Sequence, residues 1–394
     1  MIPARFLLRE GNESDLRLAP FLFRVDPIAD ALVTRLDELP KGQGFAAVDE
    51  ALKTGKVPAG APTELTAFLA ATEYVPAWVD WKTIDRAGEL LYRTGIFGGL
   101  VLGYKSLIYG YAAPGGNKPL VFSGRLREHA PRRLAETSRF VEAVAAKGGL
   151  LRGAPGYVIA AKVRLMHAHV RSLIWRSGRW NRDLWGDPIN QHDMAATLLL
   201  FSYVFILGVR EIGFNVPKEE AEDYIHLFRY VGHLLGVDPE LAPASFADAH
   251  RLAHHIEATQ GRADDDARML TRAILDIGAV AARTDEERRV AERRKPMILA
   301  LSRHMLGPSL ADDLGIPSSR WDRLVPVVIR SVRGAEELRR RSPRARAFFL
   351  AQGERYWRAV VERGSDVANY EFALPHALLV DPGPLRGDKE RLPS

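Results

Sequence analysis

Apolar residues recur at helical spacing along nearly the whole of this chain, and no convincing run alternates them at the two-residue period of a strand. A chain patterned this way buries its apolar stripes by packing helix on helix. In Pro27–Leu39 the stripe is Ile28, Leu32, Leu36 and Leu39. The same pattern predicts helices at Phe45–Leu52, Thr63–Thr72, Lys82–Thr94, Gly95–Tyr111, Pro131–Ala146 and Gly156–Ser177. Asp187-Pro188 reads as an N-cap followed by a first helical proline, starting a helix that runs to about Ile212. Asn215-Val-Pro217 repeats that signal for Lys218–Leu235. Further helices fit Ser245–Gln260, Asp265–Ala282, Glu286–Met305, Trp321–Ser331, Ala335–Arg341 and Arg344–Arg363, while Ala113–Pro119 reads as a strong breaker. There is no internal repeat, and no linker long enough to force a boundary. The expectation is an all-α fold, a single large helical domain over residues 1–394, with a frayed Pro/Gly/charged tail at 382–394.

Composition narrows the chemistry. With 47% hydrophobic and 26% charged residues, the chain can build a sizeable core with room for an internal cavity. It has no cysteine, which removes disulfides, thiolate-ligated haem, iron–sulfur clusters and Cys-based zinc sites. Protein ligands to any metal must then be His, carboxylate, Tyr, Lys or Met. The net charge of +6 is spread along the chain as solvated helix faces, and no nucleic-acid-binding module accompanies it, so no nucleic-acid partner is expected. Met1–Phe23 mixes charges into its apolar residues and shows no secretory signal, which makes a cytoplasmic location the default. Met194–Val209 is strongly apolar but falls short of the roughly 20 residues a bilayer requires. Gly95–Ala112 contains Lys105 and five glycines. Both read as buried helices, and no integral membrane span is expected. His-Glu-x-x-His zinc sites, Glu-x-x-His di-iron pairs, Walker loops and Gly-x-Ser-x-Gly elbows are all missing.

Four segments could carry chemistry. On Gly156–Ser177, His167 shares a face with Ala160, Val163, Arg164, Val170, Arg171 and Ile174. Flanking arginines would depress the imidazole pKa and keep it neutral, as a metal ligand must be. They could also meet the propionates of a porphyrin. The alternative is a core histidine bonded to a backbone carbonyl, with both arginines paired to acids on neighbouring helices. On the preceding helix Arg133, Glu136, Thr137 and Phe140 fall on one face, where they could line the open side of a haem or form a solvated Arg–Glu pair. Asn190, Gln191 and Asp193 suit the first turn of a helix, and His192 beside them reads as solvated. His226, Arg229, Tyr230 and His233 share a polar face that reads as a surface stripe.

Taken in order, these motifs resemble a known family, the bacterial relatives of latex-clearing protein (rubber oxygenase) together with the fungal oxygenase MpaB. The resemblance spans roughly Val75 to Leu241, residues 75–241, and rests on six motifs. They are Val75–Trp81, Gly116–Leu120, Arg133–Thr137, Lys162–Ala168, Pro188–Gln191 with Asp193-Met194, and His226–Gly232. It implies a globin-like core around haem b, with His167 as the proximal ligand and Arg133 and Thr137 as the distal-side pair. Glu136, Arg164, Arg171 and His226 join them as candidate site residues, with Leu198 and Phe201 as pocket walls. Rubber oxygenases can place a lysine immediately before that threonine, close enough to ligate the iron. This chain has Glu136 there, which could instead act as an acid or base. The resemblance implies a haem b-dependent oxygenase using O2 or peroxide on an apolar, possibly alkene-containing small molecule. Two alternatives stay open, a haem carrier or sensor without turnover and a haem-free binder of hydrophobic ligands. The oligomeric state has no signature in the sequence.

Overall fold

The computed structural model describes residues 17–38, 43–122 and 126–367, so the 382–394 tail lies outside the described residues. Every regular element among them is helical. The first eight helices are α1 (Pro27–Asp37), α2 (Gln43–Thr54), α3 (Thr63–Glu73), α4 (Trp81–Ala87), α5 (Glu89–Val101), α6 (Leu107–Tyr111), α7 (Pro114–Phe122) and α8 (Leu126–Ala145). Next come α9 (Pro155–Arg176), α10 (Arg182–Trp185), α11 (Gln191–Phe201), α12 (Tyr203–Glu211), α13 (Lys218–Leu234) and α14 (Phe246–Ala258). The last six are α15 (Asp265–Leu275), α16 (Ile277–Val280), α17 (Asp285–Leu306), α18 (Pro308–Asp313), α19 (Val325–Arg341) and α20 (Pro343–Val367).

Side-chain caps decide many of these starts. Asp26, Asn190, Ser245, Asp264 and Thr284 each accept from the amide three residues on, satisfying a donor the helix leaves open. Each such cap is worth about 1 kcal/mol. The structure corrects the reading of Asp187-Pro188 as a helix start, because Asp187 pairs with Arg182 at 2.5 Å and Asn190 caps α11 instead. Between them Ile189 sits at φ 52°, a left-handed conformation that a β-branched residue rarely adopts. The single helix expected to reach Ile212 is also interrupted. Ser202, at φ −111° and ψ −82°, separates α11 from α12, and its hydroxyl donates to the Leu198 carbonyl at 2.8 Å.

Glycine-rich stretches differ from expectation too. Lys82–Thr94 divides at Gly88 into α4 and α5, and α5 is kinked at Gly95, where φ is 48°. A π turn, Leu102–Ser106, then joins α5 to α6. Ala113–Pro119, read as a breaker, is largely helical in α7. Pro114 opens it, where a missing N–H costs nothing, and tertiary contacts hold the rest. The Asn117 amide donates to the Tyr111 carbonyl at 3.0 Å, and the buried Lys118 ammonium to Asp264 at 2.5 Å and to Asp266.

Of three apolar clusters in the described interior, the third and smallest gathers Phe122, Ile174, Trp180 and Trp185, and the other two frame the site. The larger runs from Leu18 to Trp357 and includes Leu198, Phe228 and Val231; α9 packs within it against α1, α8 and α13. The smaller joins Ile108, Tyr111, Leu270, Ile274 and Leu306. A cavity opens where the two meet, since its wall draws on members of both. Among the described residues, Gln191–Glu211 is the one stretch long and apolar enough to cross a membrane by length and composition. With 67% of its window buried and a break at Ser202, it is core structure around this cavity.

Candidate functional site

The cavity has a volume of about 950 Å³, large enough for a cofactor together with a small substrate. Helix α9 contributes Val163, Met166, His167 and Val170, the i, i+3, i+4, i+7 set of a single face. Helix α8 contributes Arg133, Glu136, Thr137 and Phe140, and α11 contributes Met194, Leu198 and Phe201 among others. Phe228 and Val231 of α13 close another side. The wall also uses residues beyond Leu241, including Ile256, Gln260, Met305 and Leu310, so the cavity extends past the 75–241 core expected from sequence.

His167 is the most unusual member. Its Nδ1 is buried and has no hydrogen-bond partner among the described residues. What surface the ring keeps lies on the cavity wall. Burial first, then the nearby Arg171 and Arg133 charges, push its pKa down to about 4, against a smaller opposing effect of Asp26. The imidazole is therefore neutral at ordinary pH, with its lone pair free for a ligand. Among the described residues no group of three His, Asp or Glu side chains converges to hold a metal ion. A metal at His167 would have to bring most of its ligands with it, as a porphyrin does.

Two of the arginines fall elsewhere than expected. At about 100° per residue, Arg164 and Arg171 lie on one flank of His167, and the cavity-facing Val163, Met166 and Val170 lie on the other. That arginine flank packs on α1. Arg164 forms a buried bidentate pair with Asp26 at 2.5 and 2.9 Å. Arg171 pairs with Asp30 and donates to the carbonyls of Pro188 at 3.0 Å and Ile189 at 2.9 Å. Neither lines the cavity, so porphyrin anchoring by these two is corrected. Arg171 instead clamps the strained Ile189, whose side chain is part of the wall, and thereby helps seat Asn190 as the cap of α11. The second reading offered by the sequence, arginines paired to acids on neighbouring elements, describes both residues.

His226 is also misplaced by the sequence reading. Its Nε2 accepts from the Asp80 amide at 3.1 Å and its ring meets Trp78 edge-on, on the side of α13 that covers the α4 entry rather than the cavity. His192, read as solvated, is fully buried and bridges Asp193 at 3.0 Å and Thr259 at 2.9 Å. On α8 the expected Arg133–Glu136 pair gives way to Arg132–Glu136 at 2.8 Å, four residues apart. Arg133 is left without an ion pair or hydrogen bond among the described residues, facing the cavity near His167 and Tyr111. The structure brings together His167, Arg133, Glu136, Thr137, Leu198 and Phe201 on one wall system. It does not bring Arg164, Arg171 or His226 there.

Comparison with known proteins decides the kinship. Residues 90–336 match the family described as "ER-bound oxygenase mpaB/B'/Rubber oxygenase, catalytic domain". The chain belongs to this family. A relative, the rubber oxygenase of Streptomyces sp. (strain K30), is 27% identical over 298 residues, covering 74% of this chain and 69% of that protein. The solved structure of latex clearing protein LCP in the closed state superposes with a TM-score of 0.70 at 24% identity, over 86% of this chain and 91% of that one. That likeness establishes the shared helical fold. The oxygenase family match reaches well past Leu241 to α19, in keeping with a cavity wall completed by α14, α17 and α18.

Several wall residues were missed by sequence reasoning. Tyr111 is buried beside Arg133, and Tyr109 stands near Glu257 and Gln260 on the same wall. Tyr109 and Tyr111, two residues apart in a short apolar stretch, read as generic helix, and only the π turn before it sets which faces turn inward.

Proposed function

We propose that this chain is a haem b-dependent oxygenase that acts on an apolar, alkene-containing small molecule with O2 or peroxide. The observation that carries the reading is His167, a neutral imidazole whose buried Nδ1 has no hydrogen-bond partner among the described residues, in the wall of a roughly 950 Å³ cavity lined largely by apolar side chains. A buried histidine normally satisfies both ring nitrogens, so an orphaned one calls for an additional ligand. The residues present fit a porphyrin. His167 would hold its iron, and the neighbouring wall residues Met166, Val170, Leu198 and Phe201 would give the macrocycle apolar contact. When bound, haem b supplies the redox-active iron that reactions of O2 or peroxide with alkenes require.

The chain's own side chains do the remaining work. Arg133, without an ion pair among the described residues and on the cavity wall, offers a positive charge wherever negative charge develops on oxygen. Thr137, one turn on, adds a hydroxyl that can donate or accept. Glu136, held by Arg132 at 2.8 Å, brings a carboxylate to the same wall, a group that can serve as a proton acceptor. The apolar walls exclude water and retain a hydrocarbon chain. An alkene substrate is brought to this chain by its kinship with a rubber oxygenase.

Purified protein supplied with haemin should develop a Soret band. His167→Ala should lose that band while keeping its helical circular dichroism. Wild-type protein that folds but takes up no haemin would sink the proposal.

A further inference from the structure

Helices α19 and α20 follow one another through Ser342 and pack together as a hairpin. From Arg320, in the turn before α19, to Arg363 near the end of α20, the chain carries twelve arginines against five acids. That is a net charge of +7, while the whole chain amounts to +6. The positive charge that reads in the sequence as spread along the chain is therefore concentrated on one hairpin, and the remainder is close to neutral. Solvated arginine faces are normally laced with acids, but here three of the five are spent. Glu336 is buried and held by Arg93 at 3.0 Å and by Arg339 at 2.8 Å. Glu337 is held by Arg340 at 3.2 Å and Arg341 at 2.6 Å, and Asp322 accepts from the Ser319 amide at 2.9 Å. Arg330, Arg344, Arg355 and Arg358 are exposed and make no ion pair or hydrogen bond among the described residues.

The same outward faces carry large apolar side chains. Val327 and Leu338 of α19 and Phe348 of α20 are 47%, 55% and 56% exposed. At about 100° per residue, Val327, Arg330, Leu338 and Arg341 fall on one side of α19, opposite the buried Val325, Val332 and Glu336. Arg344, Phe348, Arg355 and Arg358 fall on one side of α20, opposite the buried Gly353 and Trp357. We propose that this face of the hairpin docks on an anionic lipid bilayer, its guanidinium groups on the phosphates and Val327, Leu338 and Phe348 seated at the acyl boundary. Guanidinium matches phosphate geometry, and outward apolar residues add the second contribution that interfacial binding needs. A nucleic acid would engage the arginines but leave the apolar side chains in water. A second copy of this face would set like charge against like. Residues 368–394, which follow α20, hold four acids against three basic residues and cannot neutralise the hairpin. None of the hairpin residues lines the cavity, so the docking surface stands apart from the haem reading.

The test is flotation of the full chain with phosphatidylcholine vesicles, with and without phosphatidylglycerol. Binding should require the anionic lipid and weaken as salt rises. Each arginine held at such a surface strengthens binding about fivefold. The combined variant Arg344→Gln, Arg355→Gln and Arg358→Gln should therefore bind about a hundredfold more weakly, and the same three positions changed to Lys should keep most of the affinity. Phe348→Ser should lose about tenfold at every salt concentration. All these side chains are exposed, so helical circular dichroism and the thermal midpoint should match wild type. Equal binding to neutral and anionic vesicles, or undiminished binding by the Gln variant, would overturn the proposal. So would vesicle binding weaker than that of a duplex oligonucleotide at equal salt and unaffected by Phe348→Ser, which assigns the face to nucleic acid. Self-association that Phe348→Ser abolishes, with no vesicle binding, would assign it to a second copy and overturn the proposal equally.

Discussion

His167 links folding to pH in a way that needs no haem. In the unfolded chain its pKa is near 6.5, and in the fold burial and the Arg171 and Arg133 charges lower it to about 4. Between those values the unfolded state binds a proton that the folded state refuses, so stability falls as pH drops through 6.5 towards 4. The full difference amounts to about 3 kcal/mol. Urea unfolding of the haem-free protein at pH 7 and pH 4.5 should show this loss in wild type, and His167→Gln should lose correspondingly less; equal losses in the two proteins would place the proton elsewhere. At this scale the sequence is informative up to a limit. The spacing on α9 put His167 on an apolar face, but a shared face spans well over a quarter-turn, and it cannot tell the flank that meets α1 from the flank that meets the cavity. That ambiguity misassigned Arg164 and Arg171. His226 was misassigned for a related reason, since its partner, the Asp80 amide, is 146 residues away. His192, read as solvated, takes its buried place through the distant Thr259 contact, which leaves no local trace.

Among the elements, α20 is the one whose placement rests most on the smallness of a residue. It lies along α5, with Trp357 donating to the Leu91 carbonyl at 3.1 Å. Four residues earlier, a Cβ at Gly353 would stand 1.5 Å from the Tyr92 carbonyl oxygen, and the Gly95 kink of α5 lies opposite. The backbones therefore touch. Gly353→Ala must push the helices apart, and overpacking of this kind costs about 1–3 kcal/mol. A gain in stability from the better helix propensity of alanine is the opposite outcome, and thermal denaturation distinguishes the two. Helix existence was legible nearly throughout, because the 3.6-residue stripe is a local property. The breaks at Gly88, Ser202 and the π turn were not, and neither was the helix at α7. At α7 a tertiary contact decides against local propensity, the Lys118 ion pairs holding the helix together across Pro119.

Over the whole molecule, a buried ionic knot joins elements far apart in the chain. Arg93 of α5 donates to Glu220 of α13 at 2.6 and 2.7 Å, to Glu336 of α19 at 3.0 Å, and to the Asn215 carbonyl at 3.0 Å. Burial opposes its charge, but the two carboxylates outweigh burial and raise its pKa. Residues 243 positions apart are thus tied at one point, and the family match at 90–336 begins and ends close to the two tied helices. Arg93→Met keeps the volume but strands two carboxylates, one of them only 5% exposed. Removing one partner of a buried pair costs about 3–5 kcal/mol, and the lower end applies here because Arg339 still holds Glu336 at 2.8 Å. Urea unfolding should show that loss as a lower midpoint at unchanged slope, with α5, α13 and α19 melting together. A second, separate transition would mean that the knot joins two independently folding parts. None of the knot residues lines the cavity, so haemin uptake by the folded variant should match wild type, separating what holds this chain together from what it binds.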